Sequence, residues 1–356
     1  MNSLSIRYSG SIETHNTETV LLYASVSDTS LFNVQGFYRY DKMALENAGY
    51  KVILTNRFDD FLRSSTYDIA LLYFYKRSLL PAVLARVHRK PVYFTGGNDD
   101  LSPRVETNLI KRGVYRLLSL ACILVSTRVL AVSTTDVAMM RRLALDRRKV
   151  IFSPHGVEVR VHLNRADFES RDTDFVTICW MGSRRNPIRK GLDKAIKLFA
   201  LYSRTRPSAR FLVLGKTGIG TNYVKNVARE FGVEDKIVFT GFVSEEAKAR
   251  ILNKSKYYAQ LSIYEGFGLG ALEALVAGCV VIHSNQGGLK DTIGDHGIVV
   301  TDSLGRHWDI EAMEELLSYE RGERSLVATV QNHAEQFSIN ARSRRFKEDF
   351  RNPRLP

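Results

Sequence analysis

The stretch from residue 257 to residue 278 leaves the chain few choices. Residues 257–261 read as a strand, glycines at 266, 268 and 270 interrupt it, and Leu269, Leu272, Leu275 and Val276 then recur at helical spacing until Gly278. The order is strand, tight turn, helix. Glycines let the backbone of such a turn approach a ligand closely. The first turn of the new helix adds unpaired N–H groups at the positive end of its dipole, a ready site for an anion and most often for a phosphate. Glu265 lies in the turn and Glu273 two helical turns further on, within reach of one pocket. Carboxylates repel a phosphate, so this pair is better suited to accepting hydrogen bonds from hydroxyls such as those of a ribose and a sugar.

A chain of 356 residues is too long for one ordinary core and suits two domains, and 44% apolar with 25% charged residues is the balance of a soluble globular protein. Cys122, Cys179 and Cys279 sit far apart in apolar runs with no C-x-x-C spacing, which predicts buried thiols in a reducing compartment. Residues 1–15 lack an apolar signal core and the run 117–127 is too short to span a bilayer, so a cytoplasmic location is expected. The net charge of +13 is uneven: residues 1–165 hold 23 Lys and Arg against 14 Asp and Glu. A basic first half suits an anionic partner, whether a lipid headgroup surface, a lipid-linked diphosphate or nucleic acid; solvated surface charge is the plain alternative.

Strand-like runs at 19–26, 50–54, 67–73, 91–95, 128–133 and 150–157 alternate with helical patterns, the order of a doubly wound α/β domain. The first strand is not followed by G-x-G-x-x-G, which argues against a dinucleotide oxidoreductase. Between the third and fourth strands a basic helix is expected with Arg86, His88, Arg89 and Lys90. Residues 96–100 (Gly-Gly-Asn-Asp-Asp) form an acidic turn at a strand's carboxyl end, where Asp99 or Asp100 orients a ligand hydroxyl or simply caps a turn. Residues 111–123 mix Lys111, Arg112 and Arg116 with apolar positions at helical spacing; a core-packing helix is expected there, and a helix lying on an anionic membrane is the alternative. His155 is a lone histidine in a turn, read as polar lining before catalysis. Residues 164–174 are polar and aperiodic, an interdomain link; Asp172-Thr173-Asp174 within it imitates a metal-binding D-x-D but immediately precedes a strand. A second doubly wound series follows, with strands at 175–181, 209–214, 236–241, 257–261 and 279–283. Its first strand-to-helix loop, 182–191, is rich in cations that suit a departing diphosphate.

The Glu265 to Glu273 spacing, with this company in this order, resembles the E-x7-E signature of the retaining, nucleotide-sugar-dependent glycosyltransferases of family 4, which have the GT-B fold. The resemblance is strongest over residues 175–300. It implies an α/β chain of two doubly wound Rossmann-like domains facing across a cleft: residues 1–163 on the acceptor side, a link at 164–174, residues 175–335 holding the nucleotide sugar, and a helix in 336–356 crossing back to the first domain. It also implies that Arg184, Lys190 and Glu265 are catalytic, with Asp99 and Asp100 standing where relatives carry a His-Asp pair. Donor binding is assigned by the same resemblance to Gly36, Gly182, Gly215, Phe242, Gly266, Phe267, Gly268, Leu269 and Glu273. Gly36 stands where relatives have two adjacent glycines, and Cys279 replaces a usual proline.

The expected function is therefore metal-independent transfer of a sugar, of hexose type, from a nucleoside diphosphate to a hydroxyl of a saccharide or lipid-linked acceptor. No cofactor, metal or nucleic acid is expected; surface polysaccharide or glycolipid assembly at the inner face of the cytoplasmic membrane is the expected setting. A nucleotide-sugar epimerase or phosphorylase on the same fold, or a basic module without catalysis, remains the alternative.

Overall fold

The computed structural model describes residues 17–159, 168–300, 307–322 and 327–351. In the first unit the strands are β1 (Thr19–Tyr23), β2 (Lys51–Thr55), β3 (Ile69–Tyr73), β4 (Val92–Thr95), β5 (Arg128–Ala131) and β6 (Val150–Phe152). Its helices are α1 (Leu31–Val34), α2 (Gly36–Asn47), α3 (Leu79–Val87), α4 (Leu109–Val125) and α5 (Thr134–Leu143). The second unit has β7 (Thr173–Ile178), β8 (Phe211–Leu214), β9 (Ile237–Gly241), β10 (Ser255–Gln260), β11 (Val280–His283) and β12 (Ile298–Val299). Its helices are α6 (Arg185–Arg189), α7 (Leu192–Thr205), α8 (Ile219–Glu230), α9 (Glu245–Lys254), α10 (Leu269–Val276), α11 (Leu289–Thr292), α12 (Trp308–Glu320) and α13 (Val327–Glu335). Last comes α14 (Ile339–Arg351).

Both sheets are six-stranded, in the orders β2-β1-β3-β4-β5-β6 and β12-β11-β10-β7-β8-β9, and their pairings are parallel. Parallel sheets need both faces covered, which is why the strands read as unbroken apolar runs. In β3 the alternation assigns the faces. Ile69, Leu71 and Tyr73 pack with Tyr38, Ala44 and Leu45 of α2 and with Phe346 and Phe350 of α14. Ala70 and Leu72 pack with Ala82, Ala85, Cys122, Ile123 and Met140, so α3, α4 and α5 form the layer on the other face.

Each order reverses once, and open α/β sheets bind ligands at the carboxyl ends of the strands flanking that reversal. In the first sheet the reversal lies between β1 and β3, in the second between β7 and β10. The loop after β7 carries residues 179–191 and the loop after β10 carries residues 261–268, the two stretches singled out by the sequence. The chain then returns to the first unit: Ser338 bridges Val157, and α14 packs on α2.

Three expectations change in detail. The link predicted for 164–174 ends sooner, because Thr173 and Asp174 already belong to β7, while residues 160–167 lie outside those described. Asp174 accepts hydrogen bonds from the Tyr202 hydroxyl and the Arg210 N–H and Asp172 pairs with Lys254, so the D-x-D serves structure. His88, Arg89 and Lys90 lie beyond the end of α3, and the backbone turns left-handed at Arg89, so of the four only Arg86 is helical. Finally, α4 covers the core with one narrow side only, and most of its large apolar residues face outward.

Candidate active site

The loop after β7 reaches the cleft through a close fit of backbone on backbone. Gly191 has φ +66°, and a Cβ there would lie 2.0 Å from the carbonyl oxygen of Leu261. Only glycine lets residues 189–191 sit flush under the loop after β10. Gly191→Ala is expected to destabilise the protein by at least about 2 kcal/mol in a urea melt, since the methyl meets main chain that cannot rotate away. A variant as stable as wild type would show that the two loops yield.

That fit sets Lys190 beside Glu265, with Nζ 3.4 Å from Oε2. Arg189 converges on the same carboxylate at 3.5 Å, reaches Asp99 of the first unit at 3.3 Å, and donates to the Tyr264 carbonyl at 3.0 Å. Glu265 also accepts from Gln260 at 2.7 Å. Burial by itself would raise the Glu265 pKa, but the Lys190 and Arg189 charges outweigh it and hold the group below its ordinary value. The opposite balance acts on Asp99. Burial pushes it up to about 6, Arg189 pulling it down and Glu265 pushing it further up.

Glu273 lies at the floor of the same cleft, fully buried on α10. Its Oε1 accepts from the Tyr40 hydroxyl of α2 at 3.0 Å, and its Oε2 meets Lys248 of α9 at 2.8 Å. Burial works against the Lys248 charge, yet Glu273 and Glu245 more than restore it and its pKa is raised. Glu245 in turn pairs with Arg39 at 2.6 Å, so two consecutive residues of α2 bond to the second unit here.

A cavity of about 470 Å³ joins these groups; Gly36, Trp180, Arg189, Lys190, Gly215, Phe242, Lys248, Glu265, Leu269 and Glu273 are among its lining residues. A neighbouring cavity of about 270 Å³ is lined by Asp99, His155, Arg189, Glu265, Gly266, Phe267, Gly268 and Leu269. Between the units Gly97 and Gly266 nearly touch, a Cβ on Gly97 falling 2.9 Å from the Gly266 Cα. Gly268 caps α10 at φ +91°, the left-handed turn that opens the helix N-terminus.

Three of the residues singled out by sequence stand apart. Arg184 is exposed, its guanidinium 5.3 Å from the Tyr223 ring centre. Gly182 lies beneath the Trp180 indole, where a Cβ would come within 2.2 Å of the ring. Asp100 faces a separate cavity with Lys76 and Arg77 and pairs with Lys76 at 2.5 Å. Conversely, Arg189, Lys248 and Tyr40 enter the site without a sequence signal that singled them out. Arg189 follows Arg185 by one turn of α6, and recognising that short helix would have turned it toward the cleft. His155 lines the smaller cavity, stacks 5.9 Å from Tyr73 and approaches Asp41 at 3.3 Å, in keeping with polar lining. The three cysteines are buried and unpaired. Among the described residues no group of three or more His, Cys, Asp or Glu is placed to hold a metal ion.

Two Rossmann-like units with a closing helix define the GT-B architecture. Sucrose-phosphate synthase from Thermosynechococcus elongatus shares it at a TM-score of 0.74 and 16% identity, over 94% of this chain and 98% of that one. The Anabaena protein HepE, solved with UDP and glucose, does so at 0.70 and 15%, over 94% and 100%. The profile of the glycosyl transferases group 1 family matches residues 166–343, and the chain belongs to that family. The D-inositol 3-phosphate glycosyltransferase of Corynebacterium aurimucosum is 31% identical over 156 residues, 42% of this chain and 37% of that protein. The chain spans only 26% to 37% of the length of three curated relatives that it matches.

Proposed function

We propose that the protein is a retaining, family 4 glycosyltransferase that moves a sugar from a nucleoside diphosphate to a hydroxyl of a saccharide or lipid-linked acceptor. The observation that carries this reading is the convergence of Lys190 and Arg189 on Glu265 in a cavity that also holds Glu273 and the N-terminus of α10. Glu273 accepts from the ribose hydroxyls and Glu265 from hydroxyls of the transferred sugar. Lys190, Arg189 and the N–H groups at Gly268 and Leu269 face the diphosphate. As the bond from the anomeric carbon to the phosphate oxygen breaks, its electron pair leaves with the nucleoside diphosphate, and fixed cations stabilise that charge. The acceptor oxygen, oriented by Asp99, forms the new bond, and its proton passes to the departing phosphate. These cations fill the role a divalent ion has elsewhere. Retention follows the family resemblance. The setting proposed is the cytoplasmic face of a membrane, in surface polysaccharide or glycolipid assembly.

The test is a thermal-shift screen of nucleoside diphosphates and their sugars, followed by transfer assays in chelator. A donor at about 100 times its Kd adds about 2.7 kcal/mol to stability, a shift of several degrees. A panel in which no nucleotide sugar shifts the melt or releases nucleoside diphosphate sinks the assignment. Product formation without an acceptor, with the sugar isomerised, would instead identify an epimerase.

A further inference from the structure

Helix α4 is built inside out. Its buried positions are Ser119, Cys122 and Ile123, while Ile110 is 80% exposed and Leu117 69%, with Val114 and Leu124 also exposed. At about 100° per residue these four apolar side chains fall on one arc, directly opposite the buried residues. Lys111 and Arg116, both exposed, lie on either side of the helix between that arc and the buried face, and the helix contains no acidic residue. Helix α3 packs against α4 in the same layer and turns Leu80, Val83 and Val87 to solvent alongside the exposed Arg86. An apolar face of this extent on a soluble surface marks a place of contact.

We propose that the outer face of the α3–α4 layer docks on an anionic lipid bilayer surface. An apolar ridge edged by cations is what such a surface takes up: the aliphatic side chains enter the boundary between headgroups and acyl chains while the cations meet lipid phosphates. A second copy of this chain fits the face poorly, because a two-fold contact brings the Lys111 and Arg116 charges of both copies to one interface with no acidic residue on the helix to meet them. The helix lies on the bilayer and does not cross it; among the described residues no helix is long and apolar enough for that. On its inner side the same helix reaches toward the cleft. Tyr115 of α4 carries the Lys76 ammonium 3.8 Å above its ring, and Lys76 pairs with Asp100 at the cavity next to Asp99. A lipid-borne acceptor would thus arrive beside the cleft; this last step rests on the transferase reading, the docking does not.

The experiment is co-sedimentation of the full chain with vesicles of phosphatidylcholine alone or with one quarter phosphatidylglycerol, at low and high salt. The protein should pellet with the anionic vesicles, weakly with the neutral ones, and less at high salt. Ile110→Ser/Leu117→Ser and Lys111→Glu/Arg116→Glu should each lower binding at least tenfold while leaving the nucleotide-induced thermal shift unchanged. Wild type that stays in the supernatant, variants that bind as well as wild type, or a solution dimer that the Ile110→Ser/Leu117→Ser variant dissolves would each overturn the proposal. Loss of the nucleotide shift in wild type would sink the transferase reading and leave the docking result standing.

Discussion

Lys190→Ala is expected to lower the rate of donor turnover on the order of 100-fold to 1,000-fold, about 2.7 to 4 kcal/mol of transition-state stabilisation. Its ammonium shares Glu265 with Arg189 in the cavity of about 470 Å³ and is fixed there by the Gly191 turn. Fixed charge in a partly buried site needs no reorganisation as the diphosphate departs, which is where the large factor comes from. The pH profile distinguishes this role from a structural one. If Asp99 must be ionised to orient the acceptor, wild-type activity should fall as pH drops through about 6. Lys190 is among the charges that lower the Asp99 pKa, so removing it should move that midpoint upward as well as reduce the rate. Arg184→Ala, which alters an exposed side chain stacked on Tyr223, should cost less than Arg189→Ala. Turnover within threefold of wild type (roughly 0.7 kcal/mol) for Lys190→Ala would remove the cations from the mechanism.

What could be read from the sequence was local. The turn from Glu265 to Leu269 announces itself because strand, glycines and helix follow one another without interruption, and the structure places them at the reversal of the second sheet. Contacts that cross the cleft were not legible. Tyr40 and Glu273 are 233 positions apart, and Arg189 meets Asp99 only because Gly97 and Gly266 bring the two units together. The family resemblance selected Arg184, whereas it is Arg189 at the end of α6 that meets Glu265 and Asp99. In α4 the helical period revealed two faces but not which one the sheet would cover. The core took the side with Ser119, Cys122 and Ile123, where two small residues allow close approach, and left Ile110, Val114, Leu117 and Leu124 outside.

Arg342→Met is expected to destabilise the protein by about 3 to 5 kcal/mol, the usual cost of removing one partner from a buried ion pair. Arg342 on α14 is fully buried and donates to both oxygens of Asp41 at 3.0 Å, to the Ser153 carbonyl at 2.6 Å and to the Ser153 hydroxyl at 2.7 Å. Asp41, equally buried on α2, also takes the Tyr73 hydroxyl. Burial by itself would raise the Asp41 pKa, but Arg342 and then His155 override it and hold the group well below the carboxylate range. A depressed carboxylate contributes stability that is present above its unfolded pKa, about 3.9, and fades as pH falls toward the folded value. Wild type should therefore lose stability below about pH 4 more steeply than Arg342→Met, in which Asp41 has lost its main partner. Adding Asp41→Asn to Arg342→Met should recover part of the loss, because the uncompensated charge is then gone. Urea melts at pH 7 and at about pH 3 read wild type and both variants. An Arg342→Met protein within about 1 kcal/mol of wild type would mean that α14 is held to the first unit by its aromatic side chains, Phe346 and Phe350, and not by this charge pair.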